Sequence, residues 1–252
     1  MVHGGPGCPG AVAPVARELS RDYGVLEPLQ TKDSVNGQVE ELAEVLREHA
    51  NLPVILVGWS YGATLGYIVT AYYPSLITKL VLVGATSFEE RYAVNVVNDE
   101  LLRLTEEERI EVFSLAESLR EDDGRDKSAS LARICGLFIR ADSYELLPYK
   151  DEVLEYQPEI NKKIGLEVSD LLASGELMEM GEKIRCPVVV IQGDYDPRLA
   201  EGVRESLVRV LKDFRFILLG KCGHAPWLER YARNQFFEVL GEEIKDGLAG
   251  SE

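Results

Sequence analysis

The chain reads as an α/β protein: a mostly parallel sheet flanked by helices, interrupted once by a long helical insertion. Three observations predict this. Short apolar, β-branched runs alternate with amphipathic stretches, the pattern of a parallel sheet covered on both faces. Between Ser87 and Gly181 the alternation stops and no convincing strand occurs. It resumes afterwards with the same rhythm. At 252 residues the chain can bury a sizeable core.

Taken in order, "HGGPGCPG" is followed by a helical stretch, "AVAPVARELS", and then by "YGVLEPL" (Tyr23–Leu29), which reads as a strand. "SVNGQVEELAEVLREHA" is an amphipathic helix with Val39, Leu42, Val45 and Leu46 on one face. "LPVILV" is a buried strand, "ATLGYIVTAYYP" a helix that stops at Pro74, and "ITKLVLVGAT" (Ile77–Thr86) the next strand. The insertion holds the helical runs "TEEERIEVFSLAESLR" and "ASLARICGLFIRA". After it come the strand "CPVVVIQG", the helix "RLAEGVRESLVRVLK", the strand "FRFILLG" and a closing helix, "PWLERYARNQFFEVLGEEI". The expected organisation is a core of residues 1–86 and 182–252 with a cap of residues 87–181, too long for an ordinary connection.

Composition narrows the partners. The formal net charge is −16, which argues against nucleic acid or an anionic membrane surface. The segment 87–181 carries 23 acidic against 11 basic side chains, so most of the negative charge lies there. No apolar run approaches a membrane span, and "MVHGGPG" has no basic start before an apolar segment. Cys8, Cys135, Cys186 and Cys222 are widely scattered, without a CxxC pair or metal-ligand spacing, which fits a reduced, cytoplasmic setting. No metal, nucleotide or flavin motif is present, so no cofactor is expected.

The chemistry concentrates in "GWSYG". Ser60 sits between a strand and a helix, with glycine two residues away on each side. Such a turn is too sharp for flanking side chains and leaves the serine Oγ exposed above the sheet edge. The N–H of Tyr61 then points where an oxyanion would form. A serine hydroxyl needs a base, and the chain has three histidines. His49 lies near the end of an amphipathic helix, where pairing with solvent or the helix dipole is expected. His3 belongs to "HGGPG". His224, in "GKCGHAPWLER", follows the last strand, where open α/β sheets place their chemistry. The orienting carboxylate belongs at another strand end. "VVVIQGDYDP" offers Asp194 and Asp196; Asp196 is preferred because it is farther out and held by Pro197, while Asp194 suits the turn backbone. Glu89 is a third candidate. The glycines of "HGGPG" let backbone N–H groups approach a substrate, with Gly5 as a second oxyanion donor.

The ordered set "HGGPG … GWSYG … GDYDP … GHAPW" resembles the α/β-hydrolase superfamily, and its first motif looks most like the proline iminopeptidase branch. The resemblance implies Ser60 as nucleophile, His224 as base and then acid, Asp196 as orienting acid, Gly5 and Tyr61 as oxyanion donors, and residues 87–181 as a cap. It implies a serine hydrolase acting on a small ester, amide, lactone or short peptide. A serine nucleophile disfavours the epoxide hydrolases and haloalkane dehalogenases of this fold, which use aspartate. Iminopeptidases carry Trp where this chain has Tyr61. The family also places two strands ahead of the one leading into HGGPG, where only "MV" stands here. That leaves "YGVLEPL" as an unpaired edge strand and suggests a homodimer paired through it, or an edge covered by other means. The rival reading is a non-catalytic ligand-binding or interaction protein that keeps the fold.

Overall fold

The computed structural model describes residues 1–121 and 126–249. After helix α1 (Ala13–Leu19), helix α2 (Val35–His49) starts where the Ser34 side chain accepts from the Gly37 N–H, an N-cap that satisfies one free amide. Strand β1 (Val54–Trp59) leads through Ser60 into α3 (Tyr61–Tyr72), and β2 (Ile77–Val83) lies parallel beside β1. Beyond the insertion, β3 (Val188–Gly193) and β4 (Phe214–Leu219) complete a parallel sheet of order β1-β2-β3-β4.

The register sets the site. Trp59 lies opposite Val83, Val83 opposite Ile191, and Gly193 opposite Leu219, so the strands end along one line. Ser60, the Asp194–Asp196 turn and the His224 loop all leave from that carboxyl edge.

Strand periodicity builds a core on each face. Leu80, Leu82, Val188 and Val190 pack with Leu42, Leu65 and Ile68 of α2 and α3. Val81, Val83, Val189 and Ile191 pack oppositely with Val15, Trp227 and Phe236. Phe236 belongs to α11 (Arg233–Ala249). This two-sided burial is why the inner strands read as continuous apolar runs.

Between β2 and β3 lie α4 (Glu90–Ala93), α5 (Val96–Leu102), α6 (Glu106–Arg120), α7 (Ser128–Ala141), α8 (Pro158–Ser174) and α9 (Glu176–Met180). A capping box of Thr105 and Glu108 starts α6. Leu104, Val112, Leu137 and Ala141 form a small separate cluster, whereas Ile164, Leu177 and Met180 join the core over α2 and α3. The insertion is thus two units: an α6–α7 hairpin with its own core, and an α8–α9 unit seated on the main one.

One expectation is corrected. Tyr23–Leu29 is irregular and not a strand. Its would-be neighbour is a single bridged residue: Val2 pairs with Gly58, donating to Val57 O at 2.8 Å and accepting from Trp59 N at 3.1 Å. Pro28 offers no N–H, and Met1 N donating to Leu26 O at 2.7 Å is the hydrogen bond that ties the two segments. Without a ladder the segment has no strand to hold it. The edge-pairing argument for a homodimer loses its strand.

The helix expected over 198–212 is also shorter. Helix α10 (Ala200–Leu207) begins only after Arg198, whose N–H is drawn back to the Asp196 carboxylate at 3.0 Å. No helix among the described residues is long and apolar enough to cross a membrane.

Candidate active site

Ser60 adopts φ 55° and ψ −123°, a left-handed conformation that a serine reaches only at a cost of roughly 1–3 kcal/mol. Both flanking glycines are obligatory. A Cβ on Gly58 would lie 2.1 Å from the Gly62 carbonyl oxygen, and one on Gly62 would lie 2.3 Å from Val2 O and 2.5 Å from His3 O. The elbow and the strand stub before HGGPG therefore press backbone on backbone. Ser60 N donates to Val83 O at 3.0 Å, and Ser60 O accepts from Ala63 N at 2.9 Å as α3 begins. The Tyr61 ring turns away from the site into the core, its hydroxyl donating to Gln38 Oε1 at 2.8 Å. Only its backbone N–H, in the first turn of α3, is left to serve the site.

HGGPG lies against the elbow. A Cβ on Gly4 would sit 2.8 Å from Ser60 Cβ and 2.6 Å from Trp59 Cε3. Gly5 has φ 40°, and the Cys8 sulfur packs over it. The insertion covers this loop: Gln157 N donates to Gly7 O, Leu154 N to Pro9 O, and Asn161 Nδ2 to Pro6 O, each at 2.9 Å. Cys8 also meets Cys135 of α7, a pairing across the fold that its sequence spacing hides.

His224 and Asp196 are joined. Nδ1 of His224 lies 2.8 Å from Asp196 Oδ2, and both residues are buried. With Nδ1–H donating there, Nε2 keeps its lone pair. Burial by itself would raise the Asp196 carboxyl; the charge and hydrogen bond of His224, helped by Arg198, outweigh it and hold the group below the ordinary carboxylate value. Gln192 Nε2 donates to the same Oδ2 at 2.9 Å. The His224 ring stacks obliquely on Trp59 with centroids 5.3 Å apart, and Trp59 Nε1 donates to His224 O at 2.8 Å. Gly84, with φ 50°, is the neighbour from β2: a Cβ there would lie 3.0 Å from His224 Nδ1. Among the described residues the Ser60 hydroxyl makes no hydrogen bond.

The other candidates have different employment. Asp194 Oδ1 accepts from Cys222 N at 3.1 Å, bracing the turn. Glu89 accepts from Ser206 Oγ at 2.6 Å and is bound to Arg209 and Arg91. His49 is exposed beside Glu48. His3 is buried; its Nδ1 faces Gly4 O, its Nε2 accepts from Gln30 N at 3.4 Å, and burial pushes it down to about 4. It is a neutral structural imidazole.

Sequence reasoning missed the residues behind Asp196. Gln192, a polar residue at the end of an apolar strand, also accepts from Ala85 N at 2.9 Å and donates to Arg198 O at 3.0 Å. Its signal was a buried-strand glutamine one turn before two aspartates. Arg198 and Glu229, both against the His224 loop, carried no local signal.

Comparison with known proteins agrees with this fold. The chain is 25% identical over 201 residues to human monoacylglycerol lipase ABHD6, covering 78% of this chain; it spans 57% of that protein's length. An esterase from Exiguobacterium antarcticum superposes with a TM-score of 0.67 at 17% identity, covering 97% of this chain and 91% of that one. Proline iminopeptidase from Mycobacterium smegmatis superposes at 0.60 with 16% identity, covering 100% and 90%. The profile described as the alpha/beta hydrolase family matches residues 1–234. With that match spanning the elbow, the Asp196 turn and the His224 loop, the chain belongs to the alpha/beta hydrolase family.

Proposed function

We propose that the protein is a serine hydrolase that cleaves a small ester, amide or lactone through an acyl-enzyme on Ser60. The observation that carries this reading is the 2.8 Å Asp196–His224 pair at the same sheet edge as the strained Ser60 elbow. His224 Nε2 takes the Ser60 proton as Oγ attacks the carbonyl carbon. The oxyanion is held by the N–H groups of Tyr61 and Gly5. His224 then gives the proton to the leaving oxygen or nitrogen, and the acyl group remains on Oγ. Water, deprotonated by His224, attacks in turn and frees the acid. Asp196 stays ionised throughout and stabilises the imidazolium.

Among these substrates an ester fits better than an aminopeptidase substrate. The latter needs a carboxylate to receive its free amine. Among the described residues of the insertion, the fully buried carboxylates are Glu100 and Asp142, and Arg198 binds both. The name of the 25%-identical relative, a monoacylglycerol lipase, points the same way; the esterase and the proline iminopeptidase among the solved structures share the fold and do not separate the two. Short p-nitrophenyl esters assayed beside proline p-nitroanilide separate the two. Turnover of esters alone is expected, and preferential release from the anilide would reverse the assignment. A protein that binds ligands without catalysis would turn over neither.

A further inference from the structure

Arg198 is a half-buried cation that the acyl-transfer chemistry does not use. It leaves the Asp196 turn just before α10 and faces three carboxylates. Nη1 is 2.5 Å from Asp142 Oδ2 and 3.6 Å from Asp196 Oδ1, and Nη2 is 2.6 Å from Glu100 Oε1. Its own N–H donates to Asp196 Oδ1. Glu100 belongs to α5 and Asp142 caps α7, so two helices of the insertion converge on the residue that orients His224. Asp142 also reaches His224 directly, since its carbonyl oxygen accepts from His224 N at 3.1 Å.

The neighbouring charged groups are all engaged. Glu229 Oε1 accepts from Gly223 N at 2.7 Å and from Tyr144 N at 2.8 Å, and Oε2 accepts from Glu145 N at 2.9 Å. Asp194 braces Cys222. Arg103 lies 4.0 Å over the Tyr195 ring and donates to Tyr195 O at 2.9 Å. Three carboxylates around one guanidinium leave an excess of negative charge in a poorly solvated place. Burial foremost raises the Glu100 carboxyl to about 7; Arg198 opposes this and Asp142 adds to it. Asp142 Oδ1, buried without a partner, is the acceptor that a proton held on Glu100 would satisfy.

We propose that Arg198 is a positioning residue for the triad, the node through which Glu100 and Asp142 of the insertion hold Asp196 against His224 and tune how readily the imidazolium forms. The proposal rests on the serine-hydrolase reading. Its physical content is a pair of opposite signs. Removing the guanidinium leaves buried carboxylates beside His224 and favours the imidazolium, which withdraws the base at higher pH. Removing the Asp142 charge leaves Arg198 less compensated and does the reverse.

The test is the pH dependence of the second-order rate of fluorophosphonate labelling. Wild type, Arg198→Met, Arg198→Lys and Asp142→Asn are compared, with a thermal unfolding midpoint for each. The acid limb is expected to move to higher pH in R198M by about one unit, roughly a tenfold loss of rate well below the limb. It is expected to move to lower pH in D142N and to return most of the way to wild type in R198K. Acid limbs that coincide in all folded variants, with only midpoints or plateau rates changed, would make Arg198 a structural clamp and overturn the proposal. If R198M fails to fold, the sign of the D142N shift decides. Failure of the triad reading is distinct: wild type would not label, or S60A would label equally.

Discussion

At the scale of single residues, Ser60 carries backbone strain at the turn between β1 and α3. Replacing it with glycine removes the hydroxyl and the strain together, whereas alanine removes only the hydroxyl. Both variants should be inactive, and S60G should unfold at a higher temperature than S60A, by about 1 kcal/mol in stability. Equal midpoints would show that the φ of 55° is not strained in the folded protein. His3 makes a prediction in pH. Its folded value of about 4 lies below the ordinary 6.5, so the unfolded chain binds the extra proton. The stability from its burial is complete above pH 6.5 and is lost as pH falls from there towards 4, up to about 3 kcal/mol. Urea unfolding of wild type should weaken across that window more steeply than that of His3→Gln. Parallel slopes would remove the role assigned to this imidazole.

At the scale of elements, the elbow works because β1, α3 and the Val2 stub meet without side chains between them. Gly62→Ala places a methyl 2.3 Å from Val2 O, and the stub must move, taking HGGPG with it. A loss of about 2 kcal/mol or more is expected, with ester turnover falling further than stability predicts, by denaturant melts and steady-state rates. The same scale shows what could be read in advance. Strands β1 to β3 were legible because two-sided burial writes them as unbroken apolar runs, and the elbow was legible because only glycines fit its neighbours. "YGVLEPL" has the composition of a strand, but a strand needs a ladder, and composition does not show that Tyr23–Leu29 forms none. Helix α10 starts two residues late where Asp196 claims the Arg198 N–H, a contact that helical periodicity does not register.

At the scale of the whole molecule, the insertion is tied to the Asp196 turn and the His224 loop. Arg198 reaches Glu100 across 98 residues of sequence and Asp142 across 56, separations no local pattern reports. Glu229 joins the His224 loop to Tyr144 and Glu145 with no solvent access. Glu229→Ala should cost about 2 kcal/mol or more, since one buried and two partly buried N–H groups lose their acceptor. Hydrogen exchange should then accelerate at Tyr144, Glu145 and Gly223 before the sheet opens; exchange spread evenly over the chain would deny this link. The pairing of Asp196 with His224 at the sheet edge that carries Ser60 was legible, because motif order and strand ends bring these residues together. The Arg198 contacts to Glu100 and Asp142 were not, because those carboxylates come from distant helices. As a serine hydrolase, the protein depends on activation of Ser60 by the Asp196–His224 pair. Labelling of the purified chain with a fluorophosphonate tests this directly, with S60A, H224A and D196N beside wild type. Labelling is expected at Ser60 in wild type, none in S60A, and losses of at least about a thousandfold in H224A and D196N. Unlabelled folded wild type, or undiminished labelling in H224A, would contradict it.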